Sequence, residues 1–96
     1  MVIEKATKNI TETLDGYGVI VTVVGGDEKW SASFEEDDNH NLMVDRPIKV
    51  LYKKGDEKTL LKSYREYSLT NDIVKMLDKI ITMFDNSPKE TKRVLL

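Results

Sequence analysis

The segment from Glu35 to Asn41 holds the residue types that could do chemistry most directly. Four consecutive carboxylates precede the single histidine of the chain, His40. These carboxylates are Glu35, Glu36, Asp37 and Asp38. Oxygen ligands in a loop suit calcium or magnesium, but the segment lacks the central glycine and the terminal glutamate of a calcium-binding loop. We therefore predict a solvated acidic loop that is dispensable for folding, with no metal site and no cofactor.

Catalytic groups of other kinds are not indicated by the sequence. A general base needs a positioned partner, and none is evident beside His40. No serine lies in a glycine-framed nucleophile elbow, and no glycine-rich phosphate loop is followed by a lysine. The chain has no cysteine, which excludes thiolate chemistry and disulfides. We expect a protein that is not an enzyme.

A second group of residues could contact a polyanion. Basic and aromatic side chains interleave in the C-terminal half, and the candidate nucleic-acid-binding residues are Lys49, Lys53, Lys62, Tyr64 and Arg65. Aromatic rings beside cations are what single-stranded nucleic acid requires. Strand alternation, however, places Lys53 and Tyr52 on opposite sides, and the pI of about 5.4 is low for a nucleic-acid-binding domain. Single-stranded nucleic-acid binding is therefore the alternative function.

Charge is distributed unevenly along the chain. Residues 1–48 carry four basic and ten acidic side chains, whereas residues 49–96 carry eleven basic and seven acidic ones, and the net charge is −2. Separated charge can steer a protein toward a charged partner. The leading hypothesis is a small non-enzymatic module that binds another protein, with Glu35, Glu36, Asp37 and Asp38 as the contact. Regulators and inhibitors of phages or mobile elements have this size. The sequence does not decide whether the protein forms a homodimer.

Length and composition indicate what kind of protein carries these residues. The chain has 96 residues, of which 40% are hydrophobic and 33% charged, as in an ordinary globular domain. We predict a single domain over residues 1–96. No apolar run approaches the length of about 20 residues that spans a membrane. Together with the absence of cysteine, this favours a cytoplasmic protein without a membrane partner.

The clearest predicted element is a helix over residues 71–84. Its apolar side chains recur at helical spacing at Ile73, Leu77, Ile80 and Phe84. The run Ser87–Pro88 ends this helix and predicts a further short helical turn that reaches about residue 95.

The N-terminal segment, residues 2–14, fits two elements. Val2, Ile3, Ala6, Ile10 and Leu14 fall on one arc of a helix, with charged residues opposite. Three threonines and the following Asp15–Gly16 favour a strand that leads into a hairpin instead. The helix sorts the residues more cleanly and is preferred, with the strand kept as the alternative.

The middle of the chain predicts a sheet. The β-branched run 17–24 leads into Gly25–Gly26, a hairpin turn that would place Val21 opposite Trp30. Residues 42–44 and 48–52 are predicted as one interrupted strand or two short ones. Residues 59–67 are predicted as a further strand, although this segment fits a helix equally. The fold class expected is α+β: an N-terminal helix or strand, an antiparallel meander of three to five strands, and a C-terminal amphipathic helix on the apolar sheet face. Trp30 should pack beneath that helix.

Overall fold

The computed structural model describes residues 2–55, 57–64 and 71–94. They form an α+β fold in which one helix packs on a sheet. The elements, in chain order, are β1 (Lys5–Glu12), β2 (Tyr17–Gly25), β3 (Glu28–Glu36), β4 (Ile48–Lys54), β5 (Glu57–Tyr64), α1 (Asn71–Asp85) and β6 (Lys89–Val94).

The sheet is an antiparallel meander with one added parallel strand. The strand order is β5-β4-β3-β2-β1-β6, and β6 runs parallel to β1. Because β5 and β6 therefore point the same way from opposite edges, the chain has to cross the sheet between them. Five strand spacings are about 24 Å, and the 15-residue helix α1 is about 22 Å long. The topology thus explains why α1 lies across one sheet face.

The predicted helix is confirmed, and its apolar stripe is the reason it forms. Ile73, Leu77, Ile80 and Phe84 are all buried, and α1 packs on β2, β3 and β4. The hydroxyl of Ser87 donates to the main-chain oxygens of Met83 at 2.6 Å and Phe84 at 3.0 Å. These bonds satisfy carbonyl groups that the last turn leaves without a helical partner.

Both chain ends differ from the preferred prediction. Residues 5–12 form a strand, so the helix preference is wrong and the strand alternative is correct. The prediction of a helical turn after Ser87 is also wrong, since residues 89–94 form β6 beside β1. β1 is hydrogen-bonded on both sides, to β2 and to β6, and this long-range pairing outweighs a local helical pattern. Leu14, expected on the apolar arc, is fully exposed in the turn.

The β2–β3 hairpin is present with a register two residues away from the predicted one. Val23 pairs with Trp30 and Val21 pairs with Ala32. The two-residue turn begins at Gly26, whose φ of 60° is the left-handed value that a type II′ turn needs at this position. A shift of two residues keeps every side chain on its face, so the predicted apolar face is confirmed. Trp30 packs against the core, with the Lys79 ammonium of α1 4.4 Å from its ring centre.

β4 and β5 follow the sequence pattern, whereas residues 42–44 form no strand and contribute only an isolated bridge from Leu42 to Glu36. β4 extends from Ile48 to Lys54, and β5 covers residues 59–64 of the predicted strand, while residues 65–67 lie outside the described residues. Gly55, with a φ of 59°, begins the turn between them. A bulge lies in the β4–β5 pairing at Val50/Leu51.

Candidate functional site

The two faces of the sheet differ in what covers them. One is covered by α1 and holds a core whose sheet residues are Ala6, Val19, Val21, Val23, Ala32, Phe34, Ile48 and Val50. No described element covers the other, which we call the open face. Strand alternation assigns to it Lys5, Thr7, Asn9 and Thr11 of β1, Gly18, Ile20, Thr22 and Val24 of β2, Lys29, Ser31, Ser33 and Glu35 of β3, and Lys49, Leu51 and Lys53 of β4.

The acidic loop after β3 is an ordered turn built around Asp37. One carboxylate oxygen of Asp37 accepts the main-chain N–H of Asn39 at 2.9 Å and that of Asn41 at 3.0 Å. Its main-chain N–H donates to the oxygen of Asn41, and its carbonyl accepts from the N–H of His40. His40 has a φ of 63° within this turn. Asp37 therefore holds the loop together from inside, which does not fit the expectation that the loop is dispensable for folding.

Arg46 joins the loop to the neighbouring hairpin. Its guanidinium donates to Asp15 at 2.5 Å and to Glu35 at 3.2 Å, and lies 3.9 Å from the carboxylate of Asp45. The hydrogen bond from Arg46 lowers the pKa of Asp15 below its ordinary value. The same hydrogen bond raises the pKa of Arg46. One cation thus brings three carboxylates together at one end of the sheet.

Glu36 faces the helix side, away from Glu35. Its carboxylate lies 3.4 Å from Nδ1 of His40, whose ring stacks on Tyr17 with centres 4.6 Å apart. Glu36 and His40 line a cleft of about 370 Å³ between the sheet and α1. The floor is apolar, with Leu77 and Phe84 among its residues, and Lys8, Asp78 and Asp85 complete the lining.

The structure distributes the four predicted acidic contact residues over different surroundings. Glu35 lies on the open face, Glu36 lies on the helix side, and Asp37 is directed into its own turn. Only Asp38 is exposed without a hydrogen bond or ion pair to the described residues. Nowhere in the described ranges do three histidine, aspartate or glutamate side chains converge on a point where a metal ion could bind.

The predicted basic residues are also divided. Lys49 and Lys53 lie exposed on the open face. Tyr52 lies on the helix side, where its ring packs against that of Trp30 at a tilt of 43°, with centres 4.5 Å apart. Its hydroxyl donates to Glu28 at 2.7 Å. The predicted separation of Tyr52 from the two lysines is therefore confirmed. In β5, Lys62 pairs with Val50 and Tyr64 with Ile48, while Arg65 lies outside the described residues.

Lys29 is a residue that the sequence reasoning missed. It lies in the acidic half of the chain, but its register partner in β4 is Lys53. Together with Ser31 and Leu51, these two lysines line a groove of about 220 Å³ on the open face. This lysine pair lies near the β2–β3 turn, at the opposite end of the open face from Glu35 and Arg46. The pairing depends on the register of β3 and β4, and the halves of the sequence do not reveal it.

Comparison with known families assigns the chain to a family of unknown function. The model of the family of unknown function DUF7325 matches residues 1–96. The chain belongs to this family. Nothing among the curated proteins or the solved structures matches it. In the described part of the chain, α1 is too short and too polar to cross a bilayer.

Proposed function

We propose that the protein is a small non-enzymatic binding module that docks on another protein through the open face. The observation that carries this proposal is the exposure of apolar side chains on rigid strands of that face. Ile20 is 45% exposed, and Val24 and Leu51 are half-buried. Threonine and serine hydroxyls surround them at Thr22 and Ser31. Exposed apolar side chains grouped on one surface are typical of sites that bind another protein.

This proposal moves the contact from the acidic loop to the sheet. Three of the four loop carboxylates have partners within the chain, and partnered charges have less to gain from a new contact. Asp38 stays available for a minor contact at the rim. A regulator or inhibitor acting in the cytoplasm is the kind of protein proposed, and a second copy of the chain is one partner that the experiment below would detect.

Single-stranded nucleic-acid binding is the weaker proposal. Lys49 and Lys53 lie on the open face, but the aromatic rings of Trp30 and Tyr52 lie on the helix side. No residue with a described side chain on the open face is aromatic. Phosphate contact and base stacking would therefore need two faces at once.

The proposal is tested by matched substitutions on the two sides of the molecule. Proteins that copurify with the tagged wild type, after nuclease treatment, are identified, purified and titrated by calorimetry. Ile20→Asp should weaken the binding of the true partner by about tenfold or more, because a charge then opposes the apolar contact. Val74→Asp is the control, since Val74 is 41% exposed on α1. Light scattering of the purified protein detects self-association in the same samples.

The possible outcomes separate the surfaces. Loss of binding in Ile20→Asp with normal binding in Val74→Asp supports the open face. Normal binding in Ile20→Asp overturns it, and loss of binding only in Asp38→Lys assigns the contact to the acidic loop. A capture that nuclease abolishes contradicts protein binding and favours the nucleic-acid alternative.

A further inference from the structure

Gly18 is a strand residue that the described fold does not require to be glycine. It lies in β2, where it pairs with Thr11 of β1 and with Glu35 of β3. Its φ is not positive, so its backbone conformation is open to any residue. A Cβ atom at Gly18 would lie 3.9 Å from the main-chain oxygen of Thr11, which is an ordinary van der Waals contact. A larger side chain therefore fits this position without strain.

Gly16, Gly26 and Gly55 differ from Gly18 because the fold itself requires them. A methyl group at Gly16 would collide with the main-chain oxygen of Glu36. Gly26 and Gly55 have φ values of 60° and 59°.

Gly18 lowers the stability of β2 without an internal reason. A glycine in a strand is unfavourable relative to alanine, because it loses more conformational entropy on folding. Such glycines mark a bulge, a sharp bend at the corner of a barrel or a place where another group approaches the backbone closely. The sheet is open, and the register on both sides of Gly18 is continuous. A close approach from outside the chain is therefore the explanation that fits.

A hollow of about 280 Å³ lies over Gly18 on the open face. Besides Gly18, its lining includes Thr11, Ile20, Ser33, Pro47 and Lys49. Ile20 and Pro47 are apolar and exposed, whereas the other three side chains carry hydroxyl or ammonium groups. The hollow thus offers apolar contact together with a polar border, which is the surrounding that an anchoring side chain of a partner protein needs.

An aromatic ring suits this hollow better than an aliphatic side chain. A flat ring can lie directly on the backbone of a glycine, and aromatic side chains cover strand glycines in this way. The face of a ring carries negative partial charge, which attracts a nearby cation. Lys49 is exposed and forms no ion pair with the carboxylates that the structure describes, whereas Glu35 is bound by Arg46 at 3.2 Å. The uncompensated charge at the hollow is therefore positive, as a ring face requires.

We infer that the hollow at Gly18 receives an aromatic side chain of the partner protein. One face of its ring lies on the Gly18 backbone, and the flexible stem of Lys49 brings the ammonium over the other face. This inference rests on the proposed docking through the open face, to which it adds the position and the chemistry of the anchor. It also explains why β2 keeps a glycine where a larger residue would fit.

Side-chain analogues test the inference on the intact protein. N-acetyl-tyrosinamide and N-acetyl-leucinamide are titrated separately into isotope-labelled protein, and the chemical shifts are followed by NMR. An aromatic ring shields nuclei that lie against its face. The tyrosine probe should therefore move the α-proton resonances of Gly18 upfield in a saturable way, together with the methyl resonances of Ile20. The leucine probe has no ring and should produce no upfield shift.

The melting temperature of Gly18→Ala tests whether the requirement for glycine is external. The added methyl group has room, and alanine loses less entropy on folding, so the melting temperature should rise by about 2–8 °C. A melting temperature below that of the wild type would show that the fold itself needs this glycine, and would overturn the inference.

Two positions on the open side of β2 provide the matched variants. Gly18→Val fills the hollow with a side chain that strands favour, and it should abolish the saturable shift of the Ile20 methyl resonances. Thr22→Val places the same side chain about 13 Å farther along the strand, and it should bind the tyrosine probe like the wild type. Lys49→Gln should weaken binding of this probe about two- to fivefold, which corresponds to a lost cation–π contact. Lys53→Gln, near the other end of the open face, should leave it unchanged.

The outcomes separate the anchor from the docking surface. Absence of a saturable shift with the tyrosine probe, or unchanged shifts in Gly18→Val, would overturn the aromatic anchor. Equal binding of the leucine probe would overturn the preference for a ring. If Ile20→Asp abolishes binding of the purified partner but Gly18→Val does not, docking through the open face stands and the anchor inference fails. Normal binding of the partner in both variants would overturn the docking itself.

Discussion

Adjacent acidic residues of the loop have different structural roles. Asp37 accepts two main-chain N–H groups and fixes the turn, whereas Asp38 is exposed and has no such partner among the described residues. The sequence does not distinguish the two residues, because both are aspartates. Only the folded structure shows that Asp37 stabilises the turn and that Asp38 is exposed to solvent.

We expect Asp37→Ala to lower the free energy of unfolding by about 1–2 kcal/mol, because it leaves two main-chain donors without their acceptor. Asp38→Ala should change it by less than about 0.5 kcal/mol, as is usual for an exposed side chain. Urea unfolding followed by circular dichroism measures both. Equal stability of the two variants would mean that the loop contributes nothing to folding, as the sequence alone suggested.

The Asp15–Arg46 pair makes stability depend on pH. The pKa of Asp15 is lowered in the folded protein, so its contribution is present above the ordinary value of 3.8 and is lost as the pH falls through the lowered pKa. Asp15→Asn and Arg46→Gln should both reduce the dependence of unfolding free energy on pH in this acidic range. Denaturant titrations at a series of acidic pH values test this, and an unchanged dependence in either variant would show that the pair is not maintained in solution.

At the scale of elements, a strand separates charges that are adjacent in sequence. Lys53 pairs with Lys29 on the open face, while Lys54 pairs with Glu28 at the end of the same strand. Lys53 is therefore opposite a like charge, and Lys54 is opposite an unlike charge. The difference has consequences for the free energy of unfolding.

We expect Lys53→Glu to raise the free energy of unfolding by about 0.2–1 kcal/mol, because it converts a repulsive cross-strand pair into an attractive one. Lys54→Glu should lower it by a similar amount, since it places two carboxylates opposite each other. Thermal unfolding at low salt compares the two variants, and high salt should reduce both effects. Changes of the same sign would contradict the assigned register.

The elements that the sequence predicted correctly are those with local signals. The stripe through Ile73, Leu77 and Ile80 lies within one window of residues, and α1 forms where it predicts. β1 could not be assigned in this way, because its state depends on pairing with two distant strands. The lysine pair was missed for the same reason, because Lys29 and Lys53 become neighbours only through the register of β3 and β4.

The whole molecule is a two-layer structure with one protected and one open sheet face. The topology requires the helix to cross one face between β5 and β6, so the chain has a single described helix to cover two faces. Antiparallel sheets often leave one face to solvent. Here that face combines exposed apolar side chains with the lysine pair Lys29–Lys53, and it is therefore where the proposed docking lies.

Consecutive residues of β2 offer the sharpest test of this architecture. Val21 is 2% exposed beneath α1 and Ile20 is 45% exposed on the open face. Val21→Asp should lower the free energy of unfolding by about 4 kcal/mol or more, because it buries a carboxylate without a partner. Ile20→Asp should lower it by no more than about 1 kcal/mol, the span of strand preference. Circular dichroism in urea measures both variants.

A large loss of stability in Ile20→Asp would contradict an open face, because it would mean that the side chain is covered in solution. A second copy of the chain is the cover that this experiment can reveal, since the midpoint of unfolding would then rise with protein concentration in the wild type. Independence from concentration, with a folded Ile20→Asp variant, leaves the face free in the isolated protein. The same variant can then report on partner binding, because any loss of affinity reflects the contact and not the fold.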